Sequence, residues 1–188
     1  MPLNLSRSLL TIILPGVVAT APWLLLLLVS IPELQPWYEI HAFPMHVAAF
    51  AIAVTAGALF EGIGSYVECV WDHAKGKEEV PMAPDGDWVQ RDWHAYLSRA
   101  FGDDEPVAYR YISRKVTALY FEFGMMMAIP CGLIGLGVLA QILVSDRVLA
   151  PWIFMTLAIL AAFIFRKFAA DTHDVLCETR YFLNRIGK

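Results

Sequence analysis

Charged residues are scarce in this chain, and its cysteines are too few and too scattered to form a disulfide framework. Asp, Glu, Lys and Arg make up 17% of the 188 residues, against about 25% in an average soluble domain. Cys69, Cys131 and Cys177 show no paired spacing, which argues against a disulfide scaffold or a cysteine metal knuckle. We therefore expect all three cysteines to serve packing.

The sequence also lacks a basic surface and the short motifs of common catalytic sites. Its net charge of −4 gives no basic surface that would attract nucleic acid. It contains no phosphate-binding glycine loop, no G-x-S-x-G nucleophile elbow and no H-E-x-x-H zinc pair. No enzyme class is indicated by these absences, and we expect no cofactor.

Hydrophobic residues are what the chain has in excess. They make up 58% of the sequence, well above the roughly 45–50% of a soluble domain. Four apolar stretches each approach the ~20 residues that a helix needs to cross a ~30 Å hydrocarbon core. They cover approximately residues 9–30, 43–65, 116–145 and 148–165. The sequence therefore predicts an all-α integral membrane protein, a four-helix bundle in contact with lipid.

The basic residues predict the orientation of this bundle. With the N-terminus in the cytoplasm, thirteen of the fourteen Lys and Arg residues lie on the inner side, and only Arg147 lies outside. Trp37, Tyr38 and Trp152 then fall where an aromatic belt is expected. We predict a multi-pass protein of a cell inner membrane with both termini cytoplasmic.

Helical extensions on the cytoplasmic side complete the predicted architecture. Residues 70–112 form an insertion too short to have a core of its own, with an amphipathic helix at 88–101 that either lies in the headgroup region or packs on the bundle. A long helix should begin near Pro106 and include the third stretch. The fourth stretch should continue into a polar helix over 167–186.

Glu61 is the residue that most strongly suggests function, because it places an ionisable group near the inner end of the second apolar stretch. Glu68 and Asp72 follow on the same helical face, so that this face ends in acids. Glu122 lies at a similar depth in the third stretch. Carboxylates from two helices are therefore expected near the inner end of the bundle.

Three interpretations of these carboxylates remain open. In the first, Glu61 and Glu122 are paired with basic side chains at the interface, such as Arg166. In the second, Glu61, Glu68 and Glu122 line the acidic inner mouth of a cation path. In the third, Glu61, Glu122 and His173 bind a metal, although the Glu-x-x-His spacing of four-helix di-metal proteins is absent.

Small residues on two of the predicted helices favour close helix packing. They are Gly57 and Gly64 in the second stretch and Gly124, Ala128 and Gly132 in the third. Such stripes let helix backbones approach closely in a membrane, either within one chain or between copies. We expect a homo-oligomer whose contacts use one of the two stripes.

These observations lead to one functional hypothesis and one alternative. The hypothesis is a non-enzymatic inner-membrane protein that acts as a homo-oligomeric pore, a sensor or a membrane anchor for a cytoplasmic protein partner. The alternative is a metal-dependent membrane enzyme that uses the inner carboxylates and His173.

Overall fold

The structure, a computed structural model, describes residues 7–79, 107–144 and 149–186, and this part of the chain is helical without strands. A π-helical turn, Leu9–Ile13, leads into α1, Leu14–Ser30. The short helix α2, Leu34–Ile40, precedes α3, Ala42–Glu79. Helices α4, Val107–Leu143, and α5, Ala150–Ile186, complete the bundle. The predicted all-α fold is confirmed.

Four of these segments are long and apolar enough to cross a membrane. They are Leu9–Ser30, Ala42–Lys75, Arg110–Leu143 and Ala150–Arg180. Large apolar side chains cover their outer surfaces, including Phe50 on α3 and Trp152 and Phe163 on α5, each more than half exposed. A soluble protein rarely exposes a continuous apolar surface of this extent, because water penalises it. The chain is a membrane protein.

Three of the helices are much longer than a membrane requires. Helices α3, α4 and α5 contain 38, 37 and 37 residues, which corresponds to about 55 Å at 1.5 Å per residue. A hydrocarbon core is only ~30 Å thick. Side-chain bonds between α3 and the last part of α5 show that both helices project at the same end of the bundle. We call this end, where α3 and α5 finish and α4 begins, the charged end.

The continuity of the third and fourth helices was predicted, and it is observed in α4, which contains Pro130, and in α5. Helix α3 also runs to Glu79, well past residue 70, where the predicted insertion begins. Trp71, Asp72 and Lys75 all have partners on neighbouring helices, and these contacts favour continued helix. The predicted amphipathic helix at 88–101 lies outside the described residues.

Helix α4 is central to the bundle, because it packs against α1, α3 and α5. Its residues Ile112, Leu119 and Phe123 form a buried core with Ala169 and Leu176 of α5. Val67 and Trp71 of α3 close this core from the third side. Among the described residues, most of the largest fully buried side chains therefore lie toward the charged end.

The π-helical turn and α1 cross α3 at two glycines. A Cβ atom on Gly57 would overlap the carbonyl group of Ile12, and one on Gly16 would overlap the carbonyl group of Ala53. Neither obstacle is a flexible side chain, so the two backbones approach as closely as they do only because these positions lack a side chain.

The other small residues of the two stripes also face helices of the same chain. Gly64 lies against Phe123, Gly124 against Pro15 and Gly132 against Val18, and Ala128 is fully buried. Both stripes are therefore occupied by contacts within a single chain.

Candidate functional site

A cluster of polar and charged side chains is buried between α3 and α5 at the charged end. Helix α3 contributes Glu68 and Asp72, which are one turn apart and therefore share a face. Helix α5 contributes His173, Cys177 and Arg180, whose spacing of four and three residues also places them on one face. Buried groups of this kind need partners, because each would otherwise lose its hydration.

Arg180 binds both acids of α3. Its Nη2 atom donates to Oε1 of Glu68 at 3.0 Å, and its Nη1 atom lies 3.5 Å from Oδ2 of Asp72. Tyr120 of α4 donates its hydroxyl hydrogen to Oε2 of Glu68 at 2.8 Å. Because the Arg180 side chain is only 3% exposed, these bonds form in a largely dry environment. We call Glu68, Asp72, Tyr120, His173 and Arg180 the charged network.

His173 and Cys177 approach the remaining oxygen of Asp72. The Nε2 atom of His173 lies 2.7 Å from Oδ1 of Asp72, and Sγ of Cys177 lies 3.8 Å from the same oxygen. The Sγ and Nε2 atoms are 3.7 Å apart. Trp71 packs edge-on against the His173 ring, with 5.6 Å between ring centroids, and restricts its orientation.

Asp72, His173 and Cys177 thus bring one oxygen, one nitrogen and one sulfur ligand atom within 4.8 Å of one another, and all three residues are buried. We call this set the metal-ligand cluster. In the described part of the chain it is the set with the geometry to hold a metal ion.

A further ion pair lies at the edge of the site. Lys75 of α3 binds Asp174 of α5, with 2.6 Å between Nζ and Oδ1. The Asp174 side chain is 57% exposed, and exposed pairs contribute only about 0–1 kcal/mol. This pair therefore adds little stability compared with the buried bonds of Arg180.

Glu61 lies apart from this cluster, beside the start of α1. It accepts a hydrogen bond from Thr11, with 3.3 Å between Oγ1 and Oε1, and the same hydroxyl approaches the Arg7 carbonyl at 3.1 Å. The salt bridges between described residues include no basic partner for Glu61, and Arg166 is exposed. The structure does not bring Glu61 and Arg166 together.

Thr11 makes a polar contact that was not predicted from the sequence. It is 1% exposed although it lies in an apolar stretch. The available signal was the residue type, because a hydroxyl group in an apolar stretch needs a hydrogen-bond partner when it is buried.

Glu122 lies beside Thr172 of α5, apart from Glu61 and His173. Its Oε2 atom is buried and has no hydrogen-bond partner among the described residues. The metal-binding set considered from the sequence, Glu61, Glu122 and His173, is therefore not assembled. Glu61 contacts Thr11, while His173 contacts Asp72 and Cys177.

Neither the scan against protein-family models nor the searches of curated proteins and solved structures find a match for this chain. Its class is defined by the fold and the site alone. It is a four-helix membrane protein in which a charged network and a cluster of three potential metal ligands join two helices at one end.

Proposed function

We propose that the protein is a homo-oligomeric membrane anchor that holds a cytoplasmic protein partner at the inner membrane. The bundle resides in the bilayer with both termini in the cytoplasm, and the charged end projects from it. About 20 residues are needed to cross the core, so a crossing that begins at Ala42 ends near residue 62. Asp72 then lies roughly 15 Å further along α3, at 1.5 Å per residue.

The charged network is the observation that carries this proposal. Burying ion pairs contributes less net stability than well-packed apolar residues would, but breaking them is costly. In some proteins such pairs specify a single arrangement of helices. Apolar contacts alone would hold the helices together in a bundle whose only role was to reside in lipid. The network therefore favours a role in which the shape of the charged end matters.

The same network argues for an anchor rather than a pore. Glu68 is bound by Arg180 and Tyr120, and Asp72 is bound by Arg180 and His173. Carboxylates that are neutralised within the chain do not supply the unpaired negative charge of a cation-selective mouth. Among the three acids of the pore interpretation, Glu68 is neutralised in this way, whereas the described residues include no salt-bridge partner for Glu61 or Glu122.

Exposed acids on α5 indicate the chemistry of the partner. Asp171, Asp174 and Glu178 follow one another at intervals of three and four residues, and all three are exposed. Because Lys75 pairs with Asp174, Asp171 and Glu178 give this face its negative charge, which is repelled by anionic lipid headgroups and attracts a basic protein surface. We therefore expect the partner to present Lys and Arg residues to this face.

Self-association would use an outer face of α3. Small residues recur on it at alternating intervals of four and three, and all are exposed: Ala51, Thr55, Ala58, Gly62 and Ser65. Among the described residues, no atom outside the adjoining turns of α3 lies within 4 Å of the position that a Cβ of Gly62 would occupy. This heptad spacing suits a left-handed crossing of two membrane helices. The homo-oligomer is therefore proposed to form here.

Site-specific photo-cross-linking in membranes of the producing cell tests the anchor. A photoreactive residue at position 178 should yield one defined protein adduct, and the charge reversal Asp171→Lys should abolish it. A photoreactive residue at the lipid-facing position 163 serves as the control and should yield lipid adducts only. If positions 178 and 163 behave alike, the proposed docking face does not exist.

Reconstitution into liposomes separates the anchor from the pore. An anchor should leave ion flux at the level of empty liposomes. Flux that Glu61→Gln reduces, in a variant that remains folded and assembled, would support the pore instead.

A further inference from the structure

We propose that Asp72, His173 and Cys177 form a binding site for a transition metal ion, and that Zn²⁺ is the ion that fits best. The ligands come from two helices, with Asp72 on α3 and the other two residues one turn apart on α5. This inference goes beyond the anchor and does not depend on it.

The distances in the metal-ligand cluster are close to those of a zinc site. Zinc bonds of about 2.0–2.1 Å to nitrogen and oxygen and about 2.3 Å to sulfur imply tetrahedral ligand separations of roughly 3.3 Å for O–N and 3.6 Å for the pairs that include sulfur. The observed O–S and N–S separations are 3.8 and 3.7 Å. Only the separation between Asp72 Oδ1 and His173 Nε2, which is 2.7 Å, must increase when an ion binds.

The donor set also selects the class of metal. Ca²⁺ and Mg²⁺ prefer oxygen ligands throughout. One carboxylate, one imidazole and one thiolate instead match the borderline-soft character of Zn²⁺. When the ion is bound, the charges of Asp72 and of the Cys177 thiolate balance it, and His173 binds as a neutral ring. The buried site would then carry no net charge.

Neighbouring residues hold the ligands as an outer layer of a metal site does. Arg180 lies against Oδ2 of Asp72, which leaves Oδ1 to face His173 and Cys177. Trp71 packs against the His173 ring. Such supporting contacts orient ligands and strengthen metal binding.

Cys177 distinguishes a metal site from a plain ion pair. An Asp72–His173 pair would be complete without a thiol, yet the Cys177 side chain is buried within 4 Å of both partners. Three protein ligands leave one position of a tetrahedral ion for water or an added ligand. The bound ion would join α3 directly to α5.

Cobalt substitution of the full-length protein tests the site, because Co²⁺ reports its ligands by absorption. The protein is purified in detergent without a histidine tag, treated with a chelator and titrated with Co²⁺ or Zn²⁺. We expect one ion per chain by elemental analysis, visible bands of a tetrahedral Co²⁺ complex and a near-ultraviolet thiolate-to-cobalt band. Absence of saturable binding, or of the thiolate band, would overturn the proposal.

Matched variants assign the ligands. Cys177→Ser and His173→Gln should each weaken Zn²⁺ binding by more than about tenfold, and Cys177→Ser should remove the thiolate band. Cys131→Ser changes a cysteine outside the cluster and should leave both unchanged. Wild-type affinity in folded Cys177→Ser would disprove the assignment. If a variant fails to fold, the cobalt spectrum of the unmodified protein still decides.

Discussion

Removing Arg180 should be the most damaging single change at the charged end. Its guanidinium lies 3.0 Å from Glu68 and 3.5 Å from Asp72, and its side chain is 3% exposed. Arg180→Met preserves much of the apolar stem but leaves Glu68 without its cation. Breaking a buried pair in this way costs about 3–5 kcal/mol, because the remaining charge is stranded in a low dielectric.

The assay measures the free energy of unfolding. The detergent-solubilised protein is titrated with SDS while its helix content is followed. Lys75→Met is the matched control, since it removes a cation from an exposed pair and should cost no more than about 1 kcal/mol. Adding Glu68→Gln to Arg180→Met should recover part of the loss, because the stranded charge is then removed. Equal costs for Arg180→Met and Lys75→Met would refute the reasoning.

Three further predictions follow from the packing and the charge pattern. Gly57→Leu should lower the free energy of unfolding by more than about 2 kcal/mol in the same titration, because the new side chain meets the Ile12 backbone. Gly62→Leu should change that free energy by no more than ~0.5 kcal/mol, but it should shift the native mass spectrum to smaller species. Thr11→Val should cost roughly 0.5–1.5 kcal/mol through the lost bond to Glu61, and unchanged stability would contradict that contact. Reporter fusions after residue 188 and near residue 86 should both report a cytoplasmic location, and a periplasmic signal from either would reverse the topology.

The sequence was sufficient to predict the fold, because hydrophobic content and the lengths of apolar stretches fix four membrane helices. It also placed Glu68 and Asp72 on one face of α3, and the structure buries Asp72 and binds Glu68 to Arg180. Helical periodicity determines such a face directly. Hydrophobicity alone did not show that α3 continues to Glu79, since Gly76 and the prolines that follow suggest a turn.

The pairing of faces could not be predicted from the sequence. Asp72 meets His173 across 101 residues of chain, and this depends on how far each helix is rotated and shifted against its neighbour. For the same reason the sequence left open which helices the small-residue stripes contact, and the structure places Gly57 against Ile12 and Gly64 against Phe123. His173 and Cys177, one turn apart, and the acids of α3 were visible separately, but they meet only because α3 and α5 both pack on α4 and their side chains bridge the gap.

Hydrogen exchange at the charged end tests the central claim most directly. In lipid nanodiscs, the backbone amides of residues 68–75 and 172–180, which the proposed crossing places beyond the membrane core, should be strongly protected, because the charged network joins α3 to α5. Arg180→Met should lose that protection while residues 150–165 retain theirs. Rapid exchange of both segments in the unmodified protein would contradict the account.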